Sequence, residues 1–70
     1  MSGILVFNGE RPDIMLENGF LYGGLHCGDC FVCYFNEVPT NVRLEYKDDW
    51  VLLHNNQVAG IPYGINVEIQ

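Results

Sequence analysis

The three cysteines of the chain stand close together, at Cys27, Cys30 and Cys33, and Gly28 lies between the first two. Two thiolates three residues apart can bind one tetrahedral ion if the backbone between them turns tightly, and a glycine makes that turn easier. A third thiolate and a histidine would complete a Cys₃His shell, the composition of many structural zinc sites. The pattern therefore predicts a structural zinc ion bound by Cys27, Cys30 and Cys33.

Two histidines, His26 and His54, compete for the fourth position of this shell. His26 adjoins Cys27, and neighbouring residues rarely both point at one ion. His54 ends an apolar segment that could pair as a strand beside the segment containing Phe31, so we predict His54 as the fourth ligand. The odd spacing of the last two cysteines would place them on opposite faces of a regular strand, so this site requires a strand that begins after Cys30 or a bulge near it.

The cysteines have a second interpretation, as small buried apolar residues, because free cysteine is among the most buried residue types. A redox pair would need its first cysteine at a helix N-terminus, whereas the segment after Cys30 has the composition of a strand. An iron–sulfur cluster ordinarily takes four cysteines, and this chain has 3. The zinc and core interpretations therefore remain the two main alternatives.

The segments between the glycines and prolines are rich in β-branched and aromatic residues, which favours strands. Asn8-Gly9, Asn18-Gly19, Asp48-Asp49 and Asn55-Asn56 mark turns, and Asn18-Gly19 predicts a hairpin with positive φ at both central positions. A helix over 40–59 fits the apolar spacing less well than period two, and a short helix over 56–59 stays open. The sequence predicts one all-β domain over 1–70, a small bent sheet or barrel of about six short strands with zinc as a staple. The predicted strand segments are 4–7, 14–16, 20–22, 31–35, 42–47, 50–54 and 65–69.

The charge is strongly acidic, with nine acidic and three basic residues and a net charge of −6. Such a surface does not attract a phosphate backbone, so direct nucleic-acid binding is not expected. A hydrophobic fraction of 49% excludes a disordered acidic tail. We expect an interaction protein rather than an enzyme, whose carboxylates contact Arg and Lys of a partner. The carboxylates assigned to this contact are Glu37, Glu45, Asp48 and Asp49.

Cellular location is predicted from what the sequence lacks. The first residues carry no basic segment followed by a long apolar one, so no signal peptide is expected, and no apolar run approaches the length of a membrane span. The odd number of cysteines argues against a disulfide framework. We therefore predict a cytoplasmic protein in a reducing compartment.

Three short motifs carry a resemblance: Leu25-His26-Cys27-Gly28-Asp29, Val42-Arg43-Leu44-Glu45-Tyr46 and Trp50-Val51-Leu52. Together they resemble an uncharacterised family of small domains from Firmicutes and their phages. The family pattern does not include Cys30 or Cys33, so it implies nothing about zinc.

In size, acidity and compactness the chain is also similar to phage-encoded anti-CRISPR proteins that inhibit type II Cas9. That resemblance implies a non-enzymatic inhibitor of Cas9 or its guide-RNA complex in the bacterial host cell. The alternatives are an accessory interaction domain with another partner, or a cysteine-based metal or redox factor.

Overall fold

The computed structural model describes residues 1–70, which form strands, turns and loops without any helix. The chain therefore contains no apolar helix long enough to cross a membrane. The seven strands are β1 (Ser2–Phe7), β2 (Pro12–Leu16), β3 (Cys30–Phe35), β4 (Val38–Lys47), β5 (Asp49–His54), β6 (Gln57–Ala59) and β7 (Asn66–Glu68).

All seven strands belong to one antiparallel sheet with the order β2-β1-β7-β3-β4-β5-β6. Consecutive strands pair within each half of the sheet, β1 with β2 and β3 to β6 in order, and β7 lies between β1 and β3 and joins the two halves. The predicted all-β fold is confirmed, with seven strands rather than about six. The sheet is open, and its edge strands are β2 and β6.

Two hairpin loops have the backbone that a two-residue connection requires. Asn36 and Glu37 join β3 to β4, Asn55 and Asn56 join β5 to β6, and all four residues have positive φ. This is the type I′ turn, whose twist matches the twist of the flanking strands. The turn predicted at Asn55-Asn56 is confirmed, and it creates β6, where a short helix had stayed open.

The hairpin predicted at Asn18-Gly19 has a different turn. Gly19 has a φ of 87°, whereas Asn18 is not among the residues with positive φ. The Gly19 N–H donates to the Leu16 carbonyl, and the Leu16 N–H donates to the Phe20 carbonyl, which gives a three-residue loop ending in a glycine. The expectation of two positive φ values was therefore wrong, because a type I turn followed by a glycine also reverses the chain.

The core lies on one face of the bent sheet, here called the concave face. Ten buried side chains form it: Leu5, Ile14, Leu25, Phe31, Cys33, Val42, Leu44, Leu52, Val67 and Ile69. Eight of them come from alternating strand positions, as expected for a sheet with one covered face, and Leu25 and Ile69 come from outside the strands. The curvature brings opposite parts of the sheet together, since the Arg11 guanidinium beside β2 lies 5.7 Å from the ring centre of Trp50 on β5.

The β2 edge is covered by the chain itself, along a segment that we call the covering segment (residues 20–25). Leu21 forms a bridge with Met15, the Tyr22 N–H donates to Ile14, and the Leu25 N–H donates to Pro12. The predicted second arm of this hairpin, over 20–22, is therefore an irregular ladder rather than a strand. Its last residue, Leu25, is fully buried in the core.

Candidate functional site

The segment from His26 to Asp29 is a tight turn that ends in a bulge. The Asp29 N–H donates to the His26 carbonyl, and Gly28 has a φ of 93° at the third position, as a type II turn requires. The Gly28 N–H donates to the Leu44 carbonyl, and the Leu44 N–H donates to the Asp29 carbonyl, so two residues face one on β4. This is a glycine bulge, but it lies before Cys30 and does not bring Cys30 and Cys33 to one face of β3, as the zinc site requires.

The Asp29 carboxylate completes the turn, because its Oδ2 accepts a hydrogen bond of 2.8 Å from the His26 N–H. Leu25, immediately before the turn, is anchored in the core. The Leu-His-Cys-Gly-Asp motif therefore has a structural explanation for its Leu, Gly and Asp. The side chain of Cys27 is left exposed at the second position of the turn.

The two exposed thiols lie beside a charged pair on β4. The Cys27 Sγ donates to the Glu45 Oε1 at 3.2 Å, and the other Glu45 oxygen contacts the Arg43 Nε at 2.6 Å. Cys30 is directly opposite Arg43 in the ladder, and its Sγ donates to the Gly28 carbonyl at 3.7 Å. Cys27 and Cys30 are thus both accessible from solvent.

Cys33 has the opposite environment. It lies on the concave face between Thr40 and Val67, with none of its surface exposed. Burial raises the pKa of its thiol to about 11, so it is neutral at physiological pH. Because Cys30 and Cys33 are three residues apart in a regular strand, they point to opposite faces of the sheet.

His54 does not approach the cysteines, because β4 lies between β3 and β5. The expectation that its strand pairs beside β3 was wrong, since β3 and β5 each take β4 as their partner through short hairpins. The His54 Nδ1 bonds to the Asn41 carbonyl at 2.8 Å, and its Nε2 lies 3.1 Å from the Asn55 amide. No group of three His, Cys, Asp or Glu side chains is arranged to bind a metal ion. The structure therefore does not bring Cys27, Cys30, Cys33 and His54 together, and the zinc site stays a prediction.

The predicted partner-binding carboxylates occupy three different places. Glu45 is half-buried and engaged by Arg43 and Cys27. Asp48 and Asp49 are exposed where β4 turns into β5. Glu37 is at the other end of β4, a ten-residue strand that spans about 30 Å at the usual rise per residue.

Next to Asp48 and Asp49 lies a cluster of four aromatic side chains, Phe7, Tyr46, Trp50 and Tyr63, which we call the aromatic end. Tyr46 and Trp50 are cross-strand partners in an edge-to-face contact of 4.9 Å, and Phe7 and Tyr63 form another at 6.0 Å. Phe7, Tyr46 and Tyr63 are 52%, 56% and 45% exposed. Burial and the neighbouring charge of Asp49 raise the pKa of Tyr63, which places these two side chains close together.

Charged groups surround the aromatic end. The Arg11 guanidinium lies over the Trp50 ring and contacts the Glu10 carboxylate at 3.6 Å. Cation–π contact with Trp50 and partial burial hold the arginine against the cluster. The partly uncovered aromatic rings thus have Glu10, Asp48 and Asp49 near them, which gives this end an apolar centre and an acidic rim.

Sequence reasoning did not find the aromatic end. Its members are distant in the sequence, from Phe7 to Tyr63, and they meet only because the sheet bends. The sequence shows how many aromatic residues the chain has, but it does not show which of them lie next to one another in the fold.

Comparison with known proteins identifies the family but not the activity. A protein from Ruminococcus gnavus, a member of the Firmicutes, has a crystal structure that matches this fold with a TM-score of 0.83. The two sequences are 37% identical, and the match covers 99% of this chain and 100% of that chain. No curated protein is significantly similar in sequence. Residues 3–69 match the family described as a domain of unknown function, DUF5348, and the resemblance to a small-domain family of Firmicutes is thereby confirmed. The chain belongs to the DUF5348 family.

Proposed function

We propose that this chain is a non-enzymatic interaction domain that binds a basic surface of a partner protein through its aromatic end. The observation that carries the proposal is the exposed aromatic cluster, whose partly uncovered rings stand beside Asp48 and Asp49. Tyr, Trp and Arg are the residue types most enriched among those that dominate binding energies at protein interfaces. An apolar centre with an acidic rim matches a partner patch that presents Arg or Lys around an apolar contact.

The net charge of −6 adds a long-range contribution to the same contact. Charge of one sign attracts a partner of the other sign and increases the rate of association, and salt screens this attraction. We therefore propose that binding is fastest at low ionic strength and declines as salt is added. The contact at the aromatic rings, which involves apolar surface, is less sensitive to salt.

The narrower form of this proposal names the partner as a Cas9-type effector or its guide-RNA complex, met in the cytoplasm by a phage-encoded inhibitor. Such effectors hold guide and target in positively charged channels. An acidic domain would be attracted to such a channel without contacting nucleic acid itself. The negative charge favours a Cas9-type effector no more than any other basic protein. A direct binding experiment therefore tests whether Cas9 is the partner.

The experiment is retention of purified Cas9–guide complex on the immobilised chain at low salt. Two charge-matched variants, Asp48→Lys and Glu37→Lys, each shift the formal charge by two units, but only the first lies at the aromatic end. We expect Asp48→Lys to weaken binding at least about fivefold and Glu37→Lys to change it little. Equal loss in both variants would assign the attraction to net charge and contradict the aromatic end as the site.

Absence of retention at low salt would reject Cas9 as the partner. The wider proposal is then tested by affinity capture from a bacterial lysate with the same three proteins. It requires a captured protein that binds the wild type and Glu37→Lys but is lost from Asp48→Lys. A Tyr46→Ala variant provides a second test at the aromatic end that leaves the net charge unchanged.

The structural zinc ion stays a separate hypothesis. Cys27 and Cys30 are exposed and near one turn, which supports them as ligands, whereas Cys33 and His54 would have to move. If zinc stabilises the fold, native mass spectrometry of protein purified without chelators shows one zinc per chain, and Cys27→Ser or Cys30→Ser releases it. Absence of zinc, with a melting curve unchanged by strong chelation, would leave the cysteines as turn and core residues.

A further inference from the structure

The sheet ends at β6 with an edge that the chain leaves open. All three residues of β6 are exposed, and β5 is its one neighbour in the sheet. The pair next to the two-residue loop, His54 and Gln57, is a hydrogen-bonded pair. Because hydrogen-bonded and non-hydrogen-bonded pairs alternate along an antiparallel ladder, the next pair, Leu53 and Val58, is not hydrogen-bonded. The N–H and C=O of Val58 are therefore directed away from β5, towards solvent.

A groove of about 400 Å³ lies beside this open edge, on the concave face. Its floor is formed by Val42 and Leu52, which also belong to the core. Phe35 forms one side, and the end of β6 with Pro62 forms the other. A volume near 400 Å³ is at the lower end of the range for ligand pockets, and the groove can hold one large apolar side chain.

No charged side chain lines the groove, although the chain has nine acidic residues. The polar side chains at its margin are Thr40, His54 and Gln57, and none of them is an acid. The Thr40 hydroxyl and both His54 ring nitrogens already have partners within the chain, whereas the Gln57 amide has none. The chemistry of the lining therefore matches an uncharged apolar group, with one amide free to bond to a neighbouring backbone.

We propose that β6 and this groove bind an extended segment of a partner protein, which pairs with Val58 as an added strand and places one uncharged apolar side chain in the groove. Strand addition of this kind takes affinity from backbone hydrogen bonds and specificity from pockets for alternate side chains. The open Val58 N–H and C=O supply the first, and the groove on the concave face supplies the second. This site is independent of the aromatic end and does not rest on the function proposed for it.

A second copy of this chain fits the groove poorly. If two copies paired edge to edge through β6, each would present its own Gln57 and Ala59 at the concave face of the joined sheet. One of these side chains is polar and the other is a single methyl group, so the groove would stay unfilled. A foreign segment with a larger apolar side chain fills it.

The probe for this proposal is a library of random heptapeptides displayed on phage and selected on the full chain. We expect the selected peptides to share one large uncharged apolar residue in an otherwise extended sequence. Synthetic peptides from the selection, added to isotopically labelled protein, should slow hydrogen exchange of the Val58 amide and shift the resonances of Ala59 and Leu52. Selection of no peptide, or shifts confined to the aromatic end, would overturn the proposal.

Three variants separate the contributions of the backbone and the groove. Val58→Pro removes the outward N–H without removing a bond to β5, and it should weaken peptide binding at least about fivefold. Val58→Thr keeps the N–H and the shape of the side chain, and it should bind within about twofold of the wild type. Ala59→Leu fills the groove and should weaken binding as Val58→Pro does.

Two results would contradict the model of strand addition. Equal binding by Val58→Pro and Val58→Thr would show that the backbone of β6 is not used. Sedimentation that gives a concentration-dependent dimer, abolished by Val58→Pro, would assign the edge to a second copy of the chain. A folded, monomeric Val58→Pro protein that has lost peptide binding would support the proposal.

Discussion

The two edge strands of the sheet, β2 and β6, differ in whether the chain covers their unpaired backbone groups. At β2 the covering segment lies along the strand, and its amides at Tyr22 and Leu25 bond to β2 carbonyls. At β6 no segment of the chain lies along the outer edge, and the edge is limited only by its length of three residues. Exposed strand edges invite pairing with other chains, and proteins either cover them or keep them short. The comparison shows one edge closed by the chain and one left available.

The covered edge depends on a buried carboxylate. Asp13 on β2 is 1% exposed, and its Oδ1 accepts hydrogen bonds from the N–H groups of Ile14 and Gly23. Its Oδ2 accepts from the amide of Asn8, which itself orders the turn between β1 and β2. One side chain thus joins the turn on one side to the covering segment on the other. The β6 edge has no buried carboxylate of this kind, since no segment lies along it.

The largest effect is expected from Asp13→Ala. This change removes the acceptor of the buried Ile14 N–H and of the partly buried donors of Asn8 and Gly23. We expect it to lower the free energy of unfolding by about 2–4 kcal/mol. Urea denaturation followed by circular dichroism measures the loss. A loss below about 0.5 kcal/mol would show that water replaces the carboxylate and that the covering segment is not fixed by it.

The same carboxylate predicts a pH dependence. Burial alone would raise the pKa of Asp13, but hydrogen bonds from Gly24, Asn8, Ile14 and Gly23 outweigh it and hold the pKa below its ordinary value. The unfolded chain therefore takes up this proton first as the pH falls, so Asp13 contributes stability above about pH 4 and loses that contribution below it. The difference in unfolding free energy between wild type and Asp13→Asn should shrink between pH 5 and the acid limit. A constant difference would contradict this account.

The next prediction compares two glycines, one near each edge of the sheet. A Cβ at Gly3 would collide with the Met15 carbonyl oxygen and with Ile14 Cγ2, 2.6 Å away, whereas one at Gly60 would meet nothing within 4 Å. We expect Gly3→Ala to lower the unfolding free energy by about 2 kcal/mol or more, because β1 and β2 must separate. Gly60→Ala should stay within about 0.5 kcal/mol of the wild type. Thermal melts of the two variants test this difference in packing, and equal melting temperatures would refute it.

The smallest effect is expected at the hairpin loop between β3 and β4. Glu37 has a φ of 67°, a conformation that costs a residue with a side chain about 1 kcal/mol and costs glycine nothing. Glu37→Gly should therefore stabilise the protein by about 0.5–1 kcal/mol, measured by urea denaturation. Asn55→Gly is the matched change in the other type I′ turn and should stabilise less, since Asn tolerates this backbone better. Destabilisation by Glu37→Gly would show that the carboxylate makes a contact worth more than the strain.

Much of the fold follows from local patterns. The alternation over 42–47 predicted which side chains of β4 face the core. The apolar runs predicted the bounds of β3 and β5 to within one residue. β4 begins earlier, at Val38, because the type I′ turn starts the ladder at once. Pro39 is compatible with it, since the ladder with β5 starts only at Arg43 and no partner there needs a Pro39 N–H. A proline in a strand region argues against pairing only where a neighbour requires the donor.

The candidate sites were less accessible to sequence reasoning. The Cys27-Gly28-Asp29-Cys30 spacing indicated a tight turn, which is present, but it could not show which way each sulfur points. The choice of His54 required the strand order, which local patterns do not contain. The carboxylates Asp48 and Asp49 were correctly expected at a turn, while their aromatic neighbours come from β1, β4 and the segment before β7. Contacts between residues far apart in the sequence depend on how the sheet bends.

The sequence by itself determined which segments pair locally and how they turn, because side-chain alternation, Asn at positive φ and Gly28 act over a few residues. Tertiary structure decided the rest. It placed β7 between β1 and β3, and it placed β4 between β3 and β5, which separates His54 from the cysteines. It buried Cys33, leaving Cys27 and Cys30 exposed, because strand geometry sends neighbours three apart to opposite faces. It also gathered Phe7, Tyr46, Trp50 and Tyr63 at one end and left a groove beside β6, since both depend on contacts between residues far apart in the sequence.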